Sequence, residues 1–197
     1  MKLMTILAFM TLLAAGASDP VTAVDPAFPP NAVGGGTVVA TLQVSNGSVT
    51  GVNVISGAEP FAGSARAALA AWQFPPSSDT ERVTVVVDFA QPGMYSVGPA
   101  KRRLAAPRGG SSEPYPRTVL DPQYPPNGAG EGSVVLAVDL DATGGIGNVG
   151  VLKDLGAFTQ VGLQAVQQWR FSAARDASGN KRPSRVYAVL VFRAPIL

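Results

Sequence analysis

The chain contains no cysteine and no histidine, and only 14% of its 197 residues are charged. Without cysteine it has no disulfide, no thiolate nucleophile and no cysteine-ligated metal site. Without histidine it lacks imidazole-based catalytic triads and two-histidine metal sites. Catalysis would depend on carboxylates, lysine, serine or tyrosine alone, which is a small set of options. We therefore expect a protein that is not an enzyme and that holds no cofactor and no metal.

The composition is typical of a globular protein. Hydrophobic residues make up 46% of the chain, a fraction too high for wholesale disorder. The formal net charge of +2 is too small to indicate a nucleic-acid partner. A length of 197 residues allows one large domain or two small ones.

Residues 1–17 have the order of a secretory signal peptide. Lys2 precedes an apolar run at 3–15, and small residues follow up to Ala17. The run is shorter than the roughly 20 residues that a membrane-spanning helix needs. We therefore expect cleavage after Ala17 and a periplasmic or secreted protein. The alternative is an uncleaved anchor, which would give the chain its only membrane contact.

The rest of the chain repeats itself. Residues 25–31 reappear as residues 121–127, and the Trp-x-Phe at 72–74 returns at 169–171. The offset is nearly constant within elements and changes between them, as in duplicated units whose surface loops differ in length. The sequence therefore predicts two tandem copies of one small domain.

The repeats set the expected domain boundaries. We expect a first domain at 18–90, a Pro/Gly-containing linker at 91–120 and a second domain at 121–197. The linker is basic, with five Lys or Arg residues and one Glu, whereas residues 18–89 carry two basic and six acidic side chains. The linker is either a solvated, disordered segment or a contact to the acidic first domain or to an anionic surface.

Each repeat has the pattern of two strands, a helix and a third strand. Apolar residues alternate in the strands, and Asn46-Gly47 is typical of a tight hairpin turn. Apolar residues recur at helical spacing from Phe61 to Trp72. The expected fold class is α+β, with two tandem ββαβ units, each a helix packed on a small antiparallel sheet. Such small units have a limited core, to which we assign the largest side chains: Trp72, Phe74, Trp169 and Phe171.

The second repeat carries specific motifs. Tyr124 and Pro125 precede a glycine-containing turn and a hairpin, the helix ends in Trp-Arg-Phe-Ser-Ala-Ala at 169–174, and an amphipathic strand closes the chain. This order resembles the C-terminal domain of the TonB energy-transducer family. The first repeat resembles it less closely, since Phe28 replaces the Tyr and Gln73 the Arg.

The resemblance implies binding in the periplasm. In that family the domain takes an extended peptide of an outer-membrane protein onto the edge of its sheet, where unpaired backbone groups accept another strand. The resemblance therefore implies outer-membrane transport as the context and the last strand as the partner-binding edge. The residues expected to face outward from it are Arg185, Tyr187, Val189, Val191 and Arg193.

The sequence leaves two alternatives open. The last strand could pair with the other repeat or with a second chain, which would make this a structural or assembly protein and possibly a homo-oligomer. An uncleaved N-terminal segment would instead make it a membrane-anchored energy transducer.

Overall fold

The computed structural model describes residues 18–32, 34–91, 100–107 and 110–194, so the expected signal segment lies outside the described residues. The α+β class is confirmed, with helices and mixed strands in one chain. The elements are β1 (Gly36–Ser45), β2 (Ser48–Ser56), α1 (Phe61–Leu69), β3 (Glu81–Phe89), β4 (Lys101–Arg103), β5 (Tyr115–Leu120), β6 (Gly132–Leu140), β7 (Ile146–Lys153), α2 (Ala157–Val166), β8 (Arg170–Ser172), β9 (Ala174–Arg175), β10 (Lys181–Arg182) and β11 (Ser184–Phe192).

One six-stranded sheet contains the long strands of both repeats, in the order β2-β1-β3-β11-β6-β7. All its neighbours are antiparallel except β3 and β11, which run parallel at the centre. The expectation that each helix packs on its own antiparallel sheet is therefore wrong. Because β3 and β11 are buried along nearly their whole length, either strand left as an edge would expose apolar surface and unpaired backbone groups.

The two helices pack on opposite faces of this sheet. Tyr187 and Val189 of β11 join the core cluster that contains the buried face of α1, whereas Ala188 and Leu190 join the cluster that contains α2. Successive side chains of a strand point to opposite faces, so one strand contributes to both clusters. The two cores therefore share their central strands.

The first hairpin has the turn that the sequence predicts. Asn46 and Gly47 adopt φ angles of 48° and 78°, the left-handed pair that a two-residue hairpin requires. A Cβ at position 47 would lie 2.6 Å from the carbonyl oxygen of Phe74, so glycine is needed there for space as well as for φ.

The four aromatic residues assigned to the core are buried. The indole Nε1 of Trp72 donates to the carbonyl oxygen of Val24 at 3.0 Å, and that of Trp169 donates to the carbonyl oxygen of Leu120 at 3.0 Å. Trp72 also packs edge-on against Tyr187, with ring centroids 6.2 Å apart. A core tryptophan of the first repeat thus contacts the last strand of the second repeat.

The basic segment between the repeats is packed over most of its described length. Its strands β4 and β5 form a three-stranded sheet with β8. Tyr115 and Val119 of β5 are buried, and Val119 lies in the α2-side core. β5 therefore packs against the second repeat and β4 pairs with β5, an arrangement that neither interpretation of this segment included.

Substitution of either tryptophan should destabilise the whole chain. Trp72→Ala and Trp169→Ala should each lower the free energy of unfolding by about 3 to 5 kcal/mol. Since the cores share β3 and β11, each variant should unfold in a single transition, measured by circular dichroism and by fluorescence of the remaining tryptophan during urea titration. Two separate transitions, with the unsubstituted half unaffected, would show that the repeats fold independently.

Candidate functional site: the strand edges

Strand β11, the expected partner-binding edge, lies in the middle of the sheet. It pairs with β3 from Val186 to Val191 on one side and with β6 from Ser184 to Phe192 on the other. Its main-chain groups are thus used by neighbours on both sides. The expectation of a free edge here is wrong, and the alternative, pairing with the other repeat, is what the structure contains.

Three of the five residues expected to face a partner lie in the protein interior. Tyr187, Val189 and Val191 are buried in the α1-side core. The Tyr187 hydroxyl donates to the carbonyl oxygen of Ser18 at 2.9 Å. Burial, the largest cause, together with the nearby Asp19 carboxylate raises the pKa of Tyr187 above its usual range. These side chains therefore stabilise the fold.

The two arginines of the expected edge are also engaged. Arg185 Nε donates to Asp139 on β6 at 2.7 Å, and its Nη1 pairs with Asp19 at 3.0 Å. The hydrogen bond from Arg185 holds the pKa of Asp139 below its usual range. The Arg193 guanidinium lies 4.5 Å from the centre of the Phe28 ring, within the range of a cation–π contact.

The N-terminal segment at 18–30 covers the second repeat. Asp25 accepts a hydrogen bond from Ser133 on β6 at 2.7 Å and pairs with Lys153 at the end of β7. Together with the contacts of Arg185 and Tyr187, these bonds hold the start of the described chain across the sheet face of the other repeat. The face that carries Tyr187 is therefore closed by the protein itself.

The outer strands β2 and β7 are the edges of the six-stranded sheet. Within the described residues, β7 pairs as a strand with β6 alone, and Val151 and Leu152 are 43% and 36% exposed. The start of β2 is partly covered, because Ser48 forms a bridge with Gln73. Charged residues, which often protect natural edges, do not distinguish the two strands, since β2 has none and β7 has only Lys153 at its end. β7 is therefore the more accessible edge.

The sequence pattern did not predict that β11 is a central strand and β7 an edge, although the composition of these strands indicates it. The third strand of each repeat is almost continuously apolar, as at 85–87 and 188–192, which is typical of strands buried on both faces. By contrast, residues 146–152 mix glycine and asparagine with apolar side chains. That composition is compatible with an outer strand.

A buried charge cluster joins the segment between the repeats to the end of β3. Arg102 donates from Nη1 to Asp88 at 2.8 Å and from Nη2 to Asp121 at 2.6 Å. The Thr37 hydroxyl donates to the same Asp88 oxygen at 2.7 Å. The Asp88 side chain is fully buried. One guanidinium thus bridges two carboxylates from different parts of the chain.

Two carboxylates around one arginine leave excess negative charge in a poorly hydrated place. Burial, and then the proximity of Asp121, raise the pKa of Asp88 to about 7, although Arg102 and Thr37 act in the opposite direction. Burial also raises the pKa of Asp121. The cluster therefore favours taking up a proton in the folded state.

Asp88→Asn should flatten the pH dependence of stability. With its pKa raised from 3.8 to about 7, Asp88 binds a proton in the folded protein that the unfolded chain has released, so stability falls as pH rises across this window. Asp121 acts in the same direction and remains in the variant. Urea unfolding at a series of pH values should show a smaller fall between about pH 4 and 7 for the variant. Parallel curves for the two proteins would contradict the assigned shift.

Comparison with known proteins supports one family for the second repeat. Residues 121–193 match the model of the family described as Gram-negative bacterial TonB protein C-terminal. No curated protein and no solved structure matched the chain. No helix in the described ranges is both long and apolar enough to cross a membrane. The TonB resemblance is thus confirmed for residues 121–193, which indicate a TonB-like protein linked to outer-membrane transport.

Proposed function

We propose that this protein is a periplasmic, non-enzymatic binding protein that takes an extended segment of an outer-membrane protein onto the edge of β7. The observation that carries the proposal is that β7 lies in the part that matches the TonB family and is an outer strand with exposed apolar side chains. Proteins of this family interact with outer-membrane proteins.

Strand addition suits the chemistry of this edge. A segment laid along β7 gains main-chain hydrogen bonds, and its alternate side chains set specificity. The register of β7 with β6 shifts between Val151 and Lys153, so Leu152 lies at an irregularity of the strand. A bound segment with apolar side chains at this end of β7 would cover both Val151 and Leu152. β7 is eight residues long, and its register with β6 shifts at two places.

The central strand is not part of this proposal. Opening the β3–β11 pair would separate six paired positions and expose core residues such as Val189 and Val191. Addition at β7 leaves that pairing intact and so does not oppose folding. This difference favours the outer edge over the strand that the family resemblance implied.

We also propose that residues 18–90 are a diverged copy of the second repeat. Both halves have the same order of strands outward from the central pair. Both also use the indole Nε1 of a buried tryptophan to hold the segment that precedes the first strand. In this arrangement the strands of one copy continue the sheet of the other beyond its central strand.

A structural role is the second candidate function, and the β3–β11 pairing between the repeats favours it. In that case the exposed edge of β7 would pair with a second copy of this chain and give a homo-oligomer. A membrane-anchored transducer depends on residues 1–17, which lie outside the described residues.

Lysine substitutions on the two outer edges test the proposal. Leu152→Lys should weaken peptide binding at least about tenfold, because a charged edge opposes strand addition. Asn53→Lys places the same charge on an exposed residue of β2 and should leave binding unchanged. Binding is measured with an array of overlapping fluorescent peptides from the periplasm-facing segments of outer-membrane proteins, and thermal melts check that both variants remain folded.

The outcomes separate the candidate functions. Equal peptide binding by wild type and Leu152→Lys would overturn the β7 site. If wild type binds no peptide but sediments as an oligomer that Leu152→Lys dissociates, the assembly role is correct instead. If Asn53→Lys alone loses binding, the partner uses β2.

A further inference from the structure

A basic cleft of about 240 Å³ lies beside the small sheet. β5 contributes Arg117, and the β9–β10 hairpin contributes Arg175 and Lys181. Ser111 and Thr143 add hydroxyl groups to its wall. Among the described residues that line the cleft, none is Asp or Glu.

Two of these cations are direct cross-strand partners. Lys181 lies opposite Arg175 in the β9–β10 pair, an arrangement in which like charges repel and destabilise the pair. Arg175 donates from Nη1 to the carbonyl oxygen of Gly179 at 2.7 Å, which is a neutral acceptor. None of the ion pairs formed within the described residues involves Arg117, Arg175 or Lys181. An anion between them would remove the repulsion.

The carboxylates near the cleft are used elsewhere. Glu113 lies 3.5 Å from Arg182, and Asp141 accepts hydrogen bonds from the Thr143 amide and hydroxyl within its own turn. Asp176 accepts from the amides of its own hairpin turn, at Ser178 and Asn180. These groups lower the local positive potential without meeting the three cations at contact distance.

We propose that this cleft binds a phosphate group, presented either as free inorganic phosphate or as the headgroup of an anionic phospholipid. Arginine side chains suit phosphate because their planar donors can form two parallel hydrogen bonds with its oxygens. The volume is below the roughly 300 to 1,000 Å³ of sites for drug-sized ligands, which favours a single small anion. The Ser111 hydroxyl, which accepts a hydrogen bond from the Glu113 amide at 3.1 Å, can donate its own hydrogen to that anion.

The β4–β5–β8 sheet adds to the positive field. Arg103 of β4 and Arg170 of β8 both pair with Thr118 of β5, one on each side of it. Both arginines are exposed. Lys101 is exposed on the same small sheet. Charges on this sheet attract anions toward the neighbouring cleft more strongly at low ionic strength than at high.

Isothermal titration of the full chain with inorganic phosphate tests the site directly. Arg175→Gln and Lys181→Gln should each weaken phosphate binding at least about tenfold. Arg66→Gln removes the same charge from the last turn of α1, outside the cleft lining, and should leave the affinity unchanged. Lys181→Gln should also raise the melting temperature when phosphate is absent, because the repulsion with Arg175 is removed.

A second measurement identifies the source of the phosphate. Cosedimentation with phosphatidylglycerol vesicles, with phosphatidylcholine vesicles as control, should be reduced by Lys181→Gln if a lipid headgroup is the ligand. Titration of free phosphate without vesicle binding supports the inorganic ion. The proposal is overturned if wild type binds neither probe, or if Arg66→Gln weakens binding as much as the cleft variants do. Neither result bears on the β7 edge.

Discussion

The parallel pairing of β3 with β11 is the contact on which the rest of the structure depends. It joins two strands that are apolar on both faces, and it merges the repeats into one sheet with a helix on each side. Within its own repeat, β3 pairs only with β1 and β11 only with β6. The β3–β11 pairing uses the other side of each strand. The pairing also decides where a partner can bind, since only the outer strands remain as edges of the large sheet.

The segments that precede the first long strand of each repeat reinforce this pairing. Residues 18–30 cross from the Trp72 anchor to the face of the second repeat, where Asp25 meets Ser133 and Lys153. The segment between the repeats is held at the first repeat, where Arg102 joins Asp88 to Asp121. Chain connections thus tie each half to the other, in addition to the backbone ladder between β3 and β11.

The roles of the charged residues in the basic segment follow only from the folded structure. In the sequence, the basic segment at 91–120 follows an acidic domain. In the structure, one of its cations, Arg102, is used inside the protein for a buried contact with that domain, whereas Arg117 lines a cleft with Arg175 and Lys181 from far along the chain. Cations of one basic segment therefore serve different purposes, because Arg102 on β4 meets the end of β3 whereas Arg117 on β5 lies near the β9–β10 hairpin.

Local patterns were sufficient to predict the long strands, the two helices and the core tryptophans, but not the short strands β4, β5, β8, β9 and β10. The period of two in the strands, the Asn46-Gly47 turn and the tryptophans at 72 and 169 all depend on short-range spacing, and so does the TonB resemblance over 121–193. The apolar runs of β3 and β11 indicate strands buried on both faces, but the tertiary structure decided that β11 lies between β3 and β6 and that β7 is an edge. Strand order depends on which buried strands find each other across more than a hundred residues, and no local spacing encodes that choice.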